Sequence, residues 1–158
     1  MKLVTTPIRS ALATLLSGIP FMGKTINAFE EYLQESTTKK KAVFLVGNQS
    51  VTAYIILLNQ TVNDNSSKCM RNDETSIQVQ ITTIFPADTG GSFIAEQISD
   101  LVLAKLFNVD NMQITAISLP DPFEIWRARF ISSRNINYNT DTNRVWITQL
   151  TLSFSVNQ

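Results

Sequence analysis

The chain has 158 residues, in which 13 Lys and Arg balance 13 Asp and Glu, with no histidine and one cysteine; one domain around one core is expected, with no intrachain disulfide. The missing histidine removes Ser/His/Asp and Cys/His nucleophilic pairs and the H-E-x-x-H zinc helix, and a formal charge of zero supplies no global field to draw in nucleic acid or an anionic membrane. Only 16% of residues are charged against 44% hydrophobic, a surface poorly protected against association that favours life in an assembly.

Met1, Lys2 and the run Leu12 to Leu16 resemble the start of a signal peptide, but Thr5, Thr6, Pro7 and Arg9 interrupt the apolar stretch such a peptide needs. No apolar run approaches the roughly 18 to 20 residues that span a bilayer, so a soluble product made in the cytosol is expected. Thr6 to Gly18 predicts a helix, with Thr6 as cap, Pro7 in its first turn, Gly18 after its last and Ile8, Leu12, Leu15 and Leu16 on one apolar stripe. Residues Phe21 to Lys41 read as an extended arm, in which Asn27 to Gln34 forms a short helix or irregular chain. Phe21, Met22 and Phe29 have no evident core position there and are candidates for a contact between subunits. Lys39, Lys40 and Lys41 read as a solvated turn before a strand at Ala42 to Val46, in preference to a phosphate patch.

Val51 to Val62 is apolar on both alternating faces and predicts a strand covered on both sides. Asn63 to Glu74, containing Lys68, Cys69 and Arg71, buries too little to offset its ordering entropy and predicts a mobile loop that orders on assembly. Ile77, Val79, Ile81, Thr83 and Phe85 alternate with polar residues as a half-buried strand does, and Ser92 to Phe107 follows as an amphipathic helix. Met112 to Leu119 has no clear pattern. Phe123 to Ser132 predicts a strand carrying Arg127 and Arg129 on one face, Arg134 to Arg144 an Asn-rich turn, and Trp146 to Val156 a long closing strand. In sum the pattern predicts an α+β fold, a mostly antiparallel sheet of four or five strands with two main helices packed on one face.

Three constellations invite chemistry. Asp88-Thr89-Gly90 matches the aspartic protease signature, but that mechanism needs two carboxylates sharing a proton and a further glycine-bearing segment, and no glycine follows Gly91. Gly90-Gly91-Ser92 opens a helix without the lysine or spacing of a phosphate-binding loop. Glu96 with Asp100, and Asp110, Asp121 and Glu124, lack the pattern of a calcium loop. No catalytic, metal or cofactor residue is assigned, and no enzymatic activity is expected.

The stretch Ala53-Tyr54-Ile55-Ile56-Leu57-Leu58, a polar loop, the alternating strand Thr75 to Phe85 and the helix around Ala95 to Val102 together resemble the tail-terminator or tail-completion proteins of tailed bacteriophages. The leading helix and the two closing strands fit the same order. This resemblance implies a non-enzymatic virion protein that forms a homo-oligomeric ring, typically a hexamer, without a membrane or cofactor. Such a ring is assembled in the host cytoplasm, caps the tail tube and docks the head connector, and DNA meets it only as passing contents of the lumen. Candidate contacts to a second copy or another partner are Phe21, Met22, Phe29, Lys39, Lys40, Lys41, Lys68, Arg71, Arg127 and Arg129. The competing reading is a small nucleic-acid or ligand-binding domain using the basic strand face, for which salt-dependent binding by a monomer would speak.

Overall fold

A computed structural model describes residues 4–30, 39–108, 111–115 and 117–158, with 108 and 111–115 described by backbone alone. Helix α1 (Thr5–Leu16) buries Ile8, Leu12 and Leu16 one above another, the i, i+4, i+8 stripe of an amphipathic helix. Val4, not Thr6, takes the position before its first turn, and no side chain caps it. Strands β1 (Ile19–Phe21) and β2 (Lys24–Ile26) form a hairpin across Met22 and Gly23, both at positive φ as a primed two-residue turn requires. Next come β3 (Ala28–Phe29), β4 (Ala42–Val46), β5 (Gln49–Asp64), β6 (Asn72–Pro86) and helix α2 (Phe93–Leu106). The chain closes with the small pair β7 (Phe107–Asn108) and β8 (Asn111–Thr115), then β9 (Glu124–Asn139) and β10 (Asn143–Asn157).

The main sheet runs β3-β5-β6-β10-β9, with β4 also paired to β5. This corrects the expected fold class. Strands predominate, the sheet has six strands of mixed direction in place of four or five antiparallel ones, and two separate two-stranded sheets accompany it. The cause lies in the length of β5: sixteen residues reach roughly 50 Å, too far for one short neighbour. Its outer edge is shared, β4 pairing antiparallel with Gln49 to Ala53 and β3 parallel with Ile55 and Ile56. A two-residue strand has no periodicity to read, so Asn27 to Phe29 looked like helix or arm; residues 31–38 of that arm lie outside the described residues.

Two polar stretches also became strand. The expected loop Asn63 to Glu74 shrinks to 65–71, because Asn63 pairs with Glu74 and Asp64 with Asp73. The Asn-rich turn after Arg134 shrinks likewise, since β9 continues to Asn139 opposite Arg144. Cross-strand hydrogen bonds here come from backbone, which polar side chains do not forbid.

Ile55, Leu57, Ile77, Val79, Leu150, Leu152 and Phe154 are fully or almost fully buried, with Ile98, Val102 and Leu106 of α2 in the same cluster. Arg9 of α1 reaches the β5 bulge between Leu57 and Gln60 and donates to the carbonyls of both Leu57 and Leu58, the former at 2.9 Å. A charged fork thus satisfies acceptors that no strand pairs with there.

Between β6 and α2 the backbone turns at Gly90, where φ is +84° and a Cβ would stand 2.2 Å from the Phe85 ring. Both the left-handed conformation and the buried ring exclude a side chain. Gly90→Ala should cost about 2 kcal/mol in urea unfolding, whereas Gly91→Ala, with nothing within 4 Å of its Cβ position, should be near neutral. Equal effects of the two would refute the assignment.

Candidate functional site

Cross-strand register fixes which residues share a sheet face. Leu150, opposite Val79 and Ser133, belongs to the face against which α2 packs. On the opposite face Tyr54, Thr82, Ile147 and Ile136 stand side by side across four strands, and Thr52, Ile84, Val145 and Tyr138 form the next file. Toward the other end the files turn polar, ending in Thr61, Ser76, Ser153 and Arg129, then Asn63, Glu74, Ser155 and Arg127. Burial raises the Tyr54 phenol above its ordinary value, opposed by its Thr82 hydrogen bond and reinforced by Tyr138.

Arg127 and Arg129 therefore share the expected face, but Arg129 is not a free cation. It donates to Glu74 at 3.0 Å, and the Ser153 hydroxyl donates to the same carboxylate oxygen at 3.2 Å. That ion pair neutralises one of the two arginines of the basic face read from the sequence. Arg71 also has an internal partner: it reaches Asp73 at 3.3 Å, whose side chain is only 2% exposed, and Gln158 donates to the same carboxylate oxygen at 3.2 Å.

The arm residues separate. Phe21 packs edge-on against Phe44, ring centres 5.4 Å apart, and Phe29 is buried in β3 with the Lys39 ammonium 5.2 Å from its ring centre. Lys41 lies 5.1 Å from the Tyr54 ring centre, and the Lys40 carbonyl accepts from the Asn27 amide at 3.0 Å. The premise that Phe21 and Phe29 lack a core position is corrected, because the β1-β2 hairpin and the parallel strand β3 give them one. Met22 stays exposed at the hairpin turn.

Lys68 sits in an exposed loop of defined shape. The Asn65 amide donates to the Asn72 carbonyl, the Ser67 amide to the Met70 carbonyl, and the Ser66 amide to an Asp64 carboxylate oxygen at 2.8 Å. Hydrogen bonds from the Ser66 hydroxyl and amide hold the Asp64 carboxyl below its usual range. Lys68, Cys69 and Met70 project to solvent, Met70 with 55% of its surface exposed. The ten candidate residues thus occupy three places: the β5-β6 loop, the β1-β4 region and the face opposite α2.

Asp88 lies exposed at positive φ in a turn closed by the Thr89 hydroxyl on the Pro86 carbonyl, and no second Asp-Thr-Gly faces it. Among the described residues no three His, Cys, Asp or Glu side chains are grouped to hold a metal ion, and no helix is long and apolar enough to cross a membrane.

Sequence reading missed several exposed apolar side chains. Val43 and Leu45, the latter 67% exposed, line edge strand β4, and Trp126 and Ile131 occupy the two β9 positions that register shifts leave without a partner on β10. Alternation within Ala42 to Val46 signals the first pair, whereas a bulge leaves no mark in the sequence. A groove of about 390 Å³ between α2 and the back of β9 and β10 was also unread.

No family model matches this chain, and no curated protein sequence does. Among solved structures it is similar in fold to a chain described as belonging to the virion of a native gene transfer agent (GTA) particle, with a TM-score of 0.54 and 15% identity over 98% of this chain and 92% of that one.

Proposed function

We propose that the chain is a structural protein of a phage-like virion, forming a homo-oligomeric ring, a hexamer, at the tail or neck, where it caps the tail tube and joins it to the head connector. The likeness in fold along nearly the whole chain to a component of a gene transfer agent virion carries this reading. The sparse charge and the exposed apolar side chains on two sheet edges add support. The role is mechanical: subunits made in the host cytoplasm join the particle, DNA crosses the lumen, and Met22, Lys40, Lys68 and Arg127 contribute contacts to neighbours.

Native mass spectrometry of the purified full chain tests it, with electron microscopy of particles assembled with and without the chain. A discrete closed oligomer, and tails that fail to join heads when the chain is missing, are the expected results. A monomer at all concentrations together with normally joined particles would overturn the reading.

A further inference from the structure

We infer that the groove between α2 and β9 receives the β5-β6 loop of a second copy, an inference that rests on the ring reading and assigns its subunit contact. The groove has an apolar floor from Leu103, Phe130 and Leu150, and Glu96 and Asp100 stand one helical turn apart on its α2 wall. Both acids are exposed, and among the described residues neither forms an ion pair. The loop presents the opposite chemistry. Met70 offers an unbranched apolar side chain suited to an irregular floor, and Lys68 beside it supplies a cation with no ion-pair partner among the described residues.

The hydrogen bonds within residues 64–72 already hold the loop in shape, so little ordering entropy is lost on docking. A loop cannot enter its own groove: its base at Asp73 lies four strand positions on β6, roughly 13 Å, from Ile77, which shares a row with Leu152 and with Phe130 at the near end of the groove, and residues 65–71 extend beyond the strand ends, away from it. The contact is therefore between copies and joins two different surfaces, which makes it head-to-tail, the kind that closes into a ring when the rotation per subunit permits.

Cys69 is the sole cysteine and lies in the loop, which gives a direct test. Full-length Asp100→Cys, oxidised mildly at assembling concentration, should give a reducible ladder of linked subunits, and Lys24→Cys on exposed β2 should give none. Lys68→Glu and Asp100→Lys should each raise the concentration for half-assembly about tenfold, and combining them should restore most of the loss. An intact oligomer whose Asp100→Cys form links no better than the Lys24→Cys control overturns this contact and leaves the ring reading standing. A monomeric mass for the unmodified chain overturns both.

Discussion

Phe154→Ala is expected to lower the unfolding free energy by about 3 to 5 kcal/mol, among the largest effects of any single truncation in the chain. Phe154 is fully buried on β10, and its direct neighbours on the flanking strands are Thr75 and Ala128. Neither is long enough to move into the space a lost ring would leave, and both are held by backbone pairing on two sides of β10. The cavity therefore stays open, adding its own penalty to the lost burial. Urea unfolding with an unchanged m-value checks the figure, and Phe154→Leu, which keeps most of the volume, should lose less than half as much. A loss below about 1 kcal/mol for the alanine variant would mean that the sheet collapses around the site, contrary to the packing described.

The second large effect is expected two strand positions further along β6, where Asp73 lies opposite Val156. Arg71→Ala should destabilise by about 3 kcal/mol, the low end for a broken buried pair because Arg71 itself is a quarter exposed. The loss arises from what is left behind: Asp73, 2% exposed, keeps only the Gln158 amide, and its other carboxylate oxygen already has no hydrogen-bond partner. Asp73→Asn in the Arg71→Ala background should recover part of the stability by removing the stranded charge, a sign that simple loss of packing would not give. Chemical denaturation of the three variants decides it, and an additive double variant would refute the argument.

The long elements were legible because their patterns are long. Ile77 to Phe85 and Trp146 to Val156 alternate over many residues, and the α1 stripe repeats three times, so a face is specified wherever it is buried. Strand β4 was read at its observed bounds, Ala42 to Val46, whereas β3 was not read, and the pairing of both was harder. Their direction depends on the edge that β5 exposes, a tertiary fact absent from any short window. Arg129 shows the corresponding limit for the site: its basic strand face was readable, while its neutralisation by Glu74, 55 residues away, depends on β6 and β9 meeting through β10. Phe21 and Phe29 looked unplaced for the same reason, since their partners arrive later in the chain.

The order of strands also bears on how quickly the chain completes the groove beside α2. The β5-β6 and β9-β10 hairpins each close over a short turn, but the sheet is completed only when β6 meets β10, whose Gln80 and Gln149 side chains bond across a separation of 69 residues. Local hairpins form in microseconds, and closing so long a loop is the slow, entropically opposed step. Until it happens neither the α2 groove nor its floor exists, because Phe130 and Leu150 come from the late hairpin. Maturation of the groove is thereby tied to completion of the sheet, so an unfinished chain lacks the surface that the proposed contact requires.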